Sequence, residues 1–249
     1  MSGSRAAKRT VSILSLISER PKGITLSEIA NELDIPISST VDILRALLDT
    51  GMIEIIDERS KLYSIGVRAF SIGSSYIRNS TLLDKAIPVI KELGSELNKT
   101  VFLAKVINDR ITYIYKYEPD NILISTCQVG SVNYLHCTAL GKSILAYDDD
   151  LLKRTLAKPM VKKTEHTIID PDLFTKEIEK VKSQGYALDN LEQTDYLICI
   201  GAPIFDNTNK PIAALSVSSF YKMEIDIEKE SQLIKEKAAI ISEKLGFVE

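Results

Sequence analysis

The sequence lacks a run of about 18 apolar residues, the length that a membrane-spanning helix needs. Its first residues also lack the apolar core and the small-residue cleavage site of a secretory signal peptide. These two absences argue against a membrane protein and against a secreted protein. We therefore expect a cytoplasmic protein that has no membrane partner.

Cysteine is also scarce, because the chain has only Cys127, Cys137 and Cys199 and no CxxC pair. An odd number of cysteines without that spacing predicts neither a disulfide framework nor a standard zinc site. His166 has no cysteine or carboxylate at a metal-ligand spacing. We expect reduced thiols, no metal and no cofactor.

A thiol enzyme is the competing class, because His136 precedes Cys137 and Asp189 lies downstream. Adjacent side chains on extended backbone point to opposite faces, so the pair is poorly placed for the hydrogen bond that activates a nucleophile. We predict that the protein is not an enzyme and has no catalytic residues.

Residues 24 to 65 have the pattern of a winged helix-turn-helix. Thr25 and Glu28 form a capping box at a helix start, and Pro36 interrupts the helical spacing. Ser38 or Ser39 is expected to cap a second helix that ends near Gly51. Apolar segments 53–56 and 62–65 then bracket a charged tip, which predicts a hairpin, the wing.

Double-stranded DNA is the expected partner of this segment. The net charge is +1 over residues 1–79 and −4 over residues 80–249, so the asymmetry has the expected sign but is small. Arg45 could pair with guanine, and Asp42 could accept a hydrogen bond from cytosine. The remaining predicted DNA contacts are Arg5, Lys8, Arg9, Thr25, Ser38, Ser39, Thr40, Arg59 and Lys61. The alternative is a winged helix that binds protein, since not all such domains bind DNA.

The chain is too long for a winged helix alone, and we expect a second domain. We predict a DNA-binding domain over residues 1–66, a linker helix over 67–80 and an effector-binding domain over 81–249. Apolar residues recur at helical spacing over 67–79 and 82–98, with Pro88 expected to kink the second helix or to mark a helix start. The surplus apolar face fits either dimer contacts or packing within the domain.

Beyond residue 100 the pattern changes to that of an α+β domain. Strands are expected at 101–107, 111–117, 122–127, 186–189, 199–205 and 212–219, and helices at 138–147, 151–156, 172–184 and 227–245. An antiparallel sheet with helices on one face is the simplest assembly of these elements.

A ligand pocket is suggested by polar side chains within this domain. Ser216 and Ser218 alternate along a strand, so both hydroxyls face one side and suit an anionic or carbonyl oxygen. Cys137, Thr138 and Ala139 lie where a loop becomes a helix, a place that favours a carboxylate. The apolar wall is expected to consist of Ile122, Leu123 and Leu135. For the two serines, ordinary hydrogen bonding within the strand is the alternative.

The whole chain resembles the IclR family of bacterial and archaeal transcription regulators. The resemblance rests on the order and spacing of residues 24–30, 51–54, 63–66, 136–142, 185–189 and 199–204. It implies an N-terminal winged helix, a linker helix and a C-terminal domain similar to GAF and PAS sensors. It also implies a small, carboxylated or aromatic effector, with Asp189 and Cys199 in the pocket, and assembly as a homodimer or a dimer of dimers.

The sequence departs from the family pattern in two segments. Ile37, Asp42 and Ile43 stand in the recognition helix where relatives often carry basic, polar or aromatic residues. Residues 190–192 and 195–197 differ from the acidic pair and the glycine that are common in relatives. The operator sequence and the ligand class therefore do not carry over from relatives. The alternative function is a winged-helix regulator without a small-molecule effector, whose second domain serves oligomerisation or protein interaction.

Overall fold

The computed structural model describes residues 4–57, 59–120 and 127–248. The chain divides into two compact units, Met1–Ser80 and Thr81–Glu249. The described residues form nine helices and eight strands. Within those residues, no helix combines the length and the apolar character required to cross a bilayer.

The first unit is a winged helix-turn-helix followed by one further helix, and the predicted fold is confirmed. Its elements are α1 (Arg5–Ser18), α2 (Leu26–Glu32), α3 (Ile37–Asp49), β1 (Ile53–Asp57), β2 (Leu62–Ile65) and α4 (Val67–Asn79). β1 and β2 pair antiparallel as the wing. Ile13, Ile29, Leu44 and Ile53 meet in a common core, so the three helices and the hairpin pack as one body.

The ends of the helices follow the sequence pattern in part. Thr25 and Glu28 make both bonds of the capping box, and Gly51 takes a φ of +68° just after α3. α3 begins earlier than expected, with Pro36 at the N-cap position and no side-chain cap. The prediction that Ser38 or Ser39 caps α3 is therefore wrong, because both serines already lie in its first turn.

The second unit is an antiparallel sheet flanked by helices, as predicted. Its elements are α5 (Thr81–Leu97), β3 (Thr100–Ile107), β4 (Arg110–Tyr117), β5 (Val132–Asn133), α6 (Ala139–Leu145), α7 (Asp149–Leu156), α8 (Pro171–Gln184), β6 (Ala187–Asn190), β7 (Leu197–Phe205), β8 (Pro211–Phe220) and α9 (Ile227–Lys244). The six strands lie in the order β5-β4-β3-β8-β7-β6, and all neighbours pair antiparallel. Pro88 lies inside α5 and does not mark its start.

Helices cover both faces of this sheet, so the expectation of a single covered face is wrong. Val101 and Leu103 of β3 belong to the core with α5 and α9. Phe102 and Ala104 of the same strand belong to the core with α6, α7 and α8. Because β3 is apolar on both sides, its sequence lacks the alternation that marks a sheet with one solvent-exposed face.

The predicted strand at 122–127 lies, except for Cys127, outside the described residues, and Cys127 itself is not in a strand. The edge next to β4 is occupied by the short strand β5 instead. β3 and β4 are joined by Asn108 and Asp109, which both have positive φ as a tight hairpin turn requires.

Candidate DNA-binding surface and ligand cavity

α3 presents an exposed face that is built from short polar side chains and one cation. Ser38, Asp42 and Arg45 are exposed, Ser39 is half-buried and Ile37 keeps 61% of its surface accessible. The opposite face buries Leu44 and Leu47 in the core of the first unit. In helix-turn-helix domains, a helix held in this way enters the major groove.

Thr40 does not belong to that face, and its predicted contact with DNA is wrong. Its side chain is fully buried, and its hydroxyl donates a hydrogen bond to the carbonyl of Pro36 at 3.2 Å. Thr40 points inward because it lies four residues before the buried Leu44, on the same side of the helix. The exposed face of α3 thus includes Ser38, Ser39, Asp42 and Arg45 but not Thr40.

The other predicted contacts lie on separate elements of the first unit. Arg5 and Lys8 are exposed on α1, and Arg9 is half-buried on the same helix. Thr25 is half-buried, and its hydroxyl is engaged with Glu28. Arg59 and Lys61 are exposed at the wing.

The tip of the wing is held by Asp57. This carboxylate accepts hydrogen bonds from the hydroxyl of Ser60 and from the backbone N–H of Arg59. The bond from Ser60 is the main cause of the lowered pKa of Asp57, followed by the bond from the Arg59 backbone. The carboxylate fixes the turn, while the Arg59 side chain extends outward.

A cavity in the second unit lies between the sheet and the start of α6. It has a volume of about 50 Å³. Six predicted pocket residues line it, namely Thr138, Ala139, Asp189, Cys199, Ser216 and Ser218. These residues come from separate parts of the chain, which the fold brings to one place.

Two other predicted pocket residues, Leu135 and Cys137, do not line this cavity. Leu135 is buried in the core with α6 and borders a different cavity. Cys137 lies behind the lining, where its thiol donates a hydrogen bond to Oε1 of Gln193 at 2.9 Å. The prediction that Leu135 and Cys137 line the ligand cavity is therefore wrong, because both side chains are buried against other residues. Ile122 and Leu123 lie outside the described residues.

The two serines face the cavity from the central strand β8. Ser216 lies between Phe102 and Gly201 on the neighbouring strands, and Ser218 lies opposite Cys199. The hydroxyl of Ser218 is 3.2 Å from the Cys199 thiol. Ser216 makes no hydrogen bond from its hydroxyl to the described residues, so that oxygen is available to a ligand.

Gly201 lets α6 approach the sheet at this point. A Cβ on Gly201 would lie 2.9 Å from the backbone carbon of Ala139, closer than such atoms come in proteins. The close approach brings the helix start to the cavity wall. There Thr138 caps the helix by accepting the N–H of Gly141, so its hydroxyl is already used.

Asp189 contributes a buried carboxyl group to the wall. Its Oδ1 accepts the backbone N–H groups of Glu192 and Gln193 at 2.8 and 3.1 Å. Burial, followed by the nearby charge of Glu192, raises the pKa of Asp189 to about 7. Near neutral pH this carboxyl group therefore exchanges between its neutral and charged forms.

A buried lysine supports the loop that follows Asp189. Lys142 is fully buried on α6, and its ammonium contacts Glu192 at 2.6 Å and Glu177 at 3.1 Å. Nothing in the sequence pointed to this lysine as an interior residue, because buried lysines are rare. The ion pairs tie α6, α8 and the loop of residues 191–196 together. A buried pair of this kind is costly to break by removing one partner.

The loop of residues 191–196 supplies cavity residues that sequence reasoning also missed. Gln193, Thr194 and Tyr196 line the cavity. The amide of Gln193 donates to Asn133 at 2.9 Å, which fastens the loop across to β5. The hydroxyl of Thr194 is buried and has no hydrogen-bond partner among the described residues. The departure of this segment from the family pattern was the available signal.

His136 and Cys137 do not form a thiol triad with Asp189. His136 contacts the carbonyl of Val161 through Nε2 at 3.0 Å, whereas Cys137 bonds to Gln193. Burial is the main reason that the pKa of Cys137 is raised to about 12, and it also raises that of Cys199. Both thiols are protonated at neutral pH, which is the unreactive form.

Both units match models of known protein families. Residues 74–243 match the model described as bacterial transcriptional regulator IclR, C-terminal, and residues 6–55 match the IclR helix-turn-helix domain. The chain belongs to the IclR family. It is accordingly a DNA-binding transcription regulator, and its relatives are regulators rather than enzymes.

Individual IclR-family proteins are similar over most of the chain. The HTH-type transcriptional regulator BhcR of Paracoccus denitrificans is 33% identical over 218 residues, which cover 87% of this chain and 77% of BhcR. The crystal structure of Thermotoga maritima IclR is 31% identical with a TM-score of 0.73, covering 97% of this chain and 98% of that one. An IclR homologue from Microbacterium hydrocarbonoxydans in complex with 4-hydroxybenzoate has a TM-score of 0.81 at 19% identity, covering 97% of this chain and 99% of that one.

Proposed function

We propose that this IclR-family regulator changes its affinity for a DNA operator when a small organic acid binds in the cavity beneath Ser216 and Ser218. One observation carries the proposal. The hydroxyl of Thr194 is buried at this cavity without a partner among the described residues, and the Ser216 hydroxyl, which lines the same cavity, makes no hydrogen bond to them. Polar groups buried without partners are costly, and a ligand oxygen would satisfy them.

The size of the cavity favours a short acid. A volume of about 50 Å³ corresponds to about three to five water molecules. Typical ligand pockets are larger, at about 300–1,000 Å³. An acid of two or three carbons fits this space, whereas 4-hydroxybenzoate, which the Microbacterium hydrocarbonoxydans homologue holds, would require the cavity to widen.

The charges around the cavity permit an anion to bind when Asp189 is neutral. The first N–H groups of α6 lack partners within the helix and lie at the cavity wall through Ala139 and Leu140. Asp189 opposes a carboxylate when it is ionised, but not when it is neutral. Because its pKa lies near 7, ligand binding would draw a proton onto Asp189.

For the DNA, we propose that Ser38, Ser39, Asp42 and Arg45 face the base edges. Arg45 is exposed and, within the described residues, has no carboxylate at ion-pair distance. The cations of α1 and of the wing, Arg5, Lys8, Arg9, Arg59 and Lys61, would contact phosphates and fix the register. Thr25 lies at the start of α2, where backbone N–H groups can meet a phosphate.

We further propose that two copies of the chain associate through α4. None of the residues of α4 is buried. Phe70, Val67 and Ile77 lie on one side of the helix and keep 76%, 79% and 52% of their surface accessible. A helix that is this apolar and this exposed needs a partner, and a second copy would place two winged helices on one operator.

The test is effector-responsive DNA binding by a variant that carries Ser216→Ala and Ser218→Ala. We expect it to bind operator DNA as the unmodified protein does, but to lose the response to the acid. Ser219→Ala is the matched control, because it removes a buried hydroxyl of the same strand from the opposite face.

An unchanged response of the double variant would place the effector elsewhere. If no acid altered DNA binding in any variant, the second domain would instead serve oligomerisation or protein interaction. The acids to be compared run from two-carbon carboxylates to 4-hydroxybenzoate.

A further inference from the structure

The second unit contains another cavity, at the end of α7. The turn between β3 and β4, the segment 134–136 and the segment 158–161 enclose it. Its volume is about 180 Å³, and it shares no lining residue with the cavity beneath the serines. We call it the α7 cavity.

Arg110 gives the α7 cavity a cation without a counter-charge. Its guanidinium lies 3.7 Å from the ring centre of Tyr134, which also lines the cavity. In the part of the chain that the structure describes, no carboxylate lies within ion-pair distance of Arg110. A guanidinium that contacts a ring in this way, and that has no carboxylate partner, still has N–H groups that can donate two parallel bonds to an oxyanion.

Asp109, the one acidic group among the described lining residues, is already engaged. Its Oδ1 contacts Arg154 at 3.1 Å, and its Oδ2 contacts Lys158 at 2.8 Å. These bonds lower the pKa of Asp109 and hold it ionised, with the bond from Lys158 as the main cause. Arg154 and Lys158 share the single negative charge of Asp109, and Arg110 lies beside them. The group therefore carries an excess of positive charge.

His136 forms the inner wall. It is buried, and its Nε2 donates to the carbonyl of Val161. Its pKa is lowered by burial and by the positive charges of Arg110 and Lys142, so the ring is neutral at physiological pH. The other ring nitrogen, Nδ1, then remains as an acceptor for a protonated ligand group.

We propose that the α7 cavity is a second ligand site, which binds a small organic molecule through a terminal oxyanion. Arg110 holds the oxyanion, Lys158 adds a charge at the rim and Tyr134 packs against the body of the ligand. By volume, the cavity holds about a dozen water molecules, which is enough room for one aromatic or sugar ring with its charged group. The site would give the regulator an input separate from the cavity beneath the serines.

The two histidines of the chain provide a direct test, because His136 lines this cavity and His166 does not. Histidine-labelled protein is titrated with benzoate and, separately, with inorganic phosphate, and the ring signals are followed by NMR. We expect a saturable shift of His136 with at least one anion and no shift of His166. A response to benzoate alone identifies a carboxylate, and a response to phosphate alone identifies a phosphate ester.

Three variants separate this site from the other cavity. Arg110→Gln should weaken the binding about tenfold or more. Arg154→Gln removes a neighbouring cation that does not line the cavity and should leave binding within about threefold. The variant with Ser216→Ala and Ser218→Ala should keep the His136 shift.

The proposal is overturned by no saturable shift with either anion, or by a shift that survives Arg110→Gln. It is also overturned if the shift disappears with the two serines, since His136 would then report the other cavity. A negative result for the α7 cavity does not affect the proposal for the cavity beneath the serines. A negative result for the cavity beneath the serines does not affect the proposal for the α7 cavity.

Discussion

Among single residues, Arg45 is the side chain that we most expect to read the bases of DNA. It is exposed on α3, and within the described residues no carboxylate lies close enough to neutralise it. We expect Arg45→Ala to weaken specific binding by about 1–3 kcal/mol if Arg45 reads a base edge. Affinities for the operator and for scrambled DNA at several salt concentrations measure this effect.

Arg78→Ala is the matched control, because it removes an exposed arginine from α4. A loss for Arg45→Ala that is equal on operator and scrambled DNA would identify a phosphate contact instead. Equal losses in both variants would show a general effect of charge.

Asp189 makes a prediction about pH. Its folded-state pKa of about 7 lies above its ordinary value of 3.8, so its contribution to stability is fully present below that ordinary value. The contribution is lost as the pH rises through 7, where a buried charge forms. Compared with Asp189→Asn, the unmodified protein should lose stability as the pH rises from about 4 to about 7, the interval between the two pKa values.

Urea unfolding at several pH values measures the difference between these two proteins. Asn keeps the acceptor for the N–H groups of Glu192 and Gln193, and the raised pKa of Glu192 is common to both proteins. A difference in stability that does not change with pH would contradict the assignment.

Single side chains were predictable from the sequence only where the periodicity was clear. The alternation of Ser216 and Ser218 placed both hydroxyls correctly in the cavity. Thr40 and Leu135 were misplaced because a short or apolar side chain carries no signal of which neighbour covers it. Thr194 could not be found by pattern, since its role depends on the path of a loop.

At the scale of elements, α6 depends on Gly141. A Cβ there would lie 2.1 Å from the backbone oxygen of Leu135, and a backbone atom cannot rotate away. We expect Gly141→Ala to destabilise the protein by about 1–3 kcal/mol or more, despite the better helix propensity of alanine. Chemical denaturation measures this change.

Gly73→Ala is its control, because Gly73 lies in α4 with no atom within 4 Å of the added Cβ. That variant should gain about 0.5–1 kcal/mol. Similar stabilities of the two variants would show that α6 can move away from Leu135.

α4 provides the prediction about assembly. Phe70→Glu together with Ile77→Glu places two charges on its exposed apolar side, and we expect dimers to give way to monomers. Sedimentation measures the mass. Ser75→Glu adds a charge about opposite this side and should leave the dimer intact. A dimer that survives the double variant would place the interface elsewhere.

The elements themselves were largely predictable, because helical and strand periods differ and the capping box, Gly51 and the turns mark boundaries. The number of sheet faces that helices cover was not predictable, since β3 is buried on both sides and shows no alternation. β5 has only two residues, too few to display any period.

For the whole molecule, function follows from two units with different chemistry. The first unit presents α3 and the cations of α1 and the wing, and the second encloses polar groups that have no partner in the described part of the chain. We infer that the acid acts by binding two arrangements of the paired winged helices with unequal affinity, because a ligand can shift an equilibrium only by that difference.

The most direct test of this account is the binding of the full chain to the DNA upstream of its own gene, against scrambled DNA, over a salt series and with a panel of small carboxylates. The account predicts selective binding that weakens as salt rises and a shift in affinity with one short acid. The absence of selective binding under every condition, or selective binding that no acid changes, would contradict it.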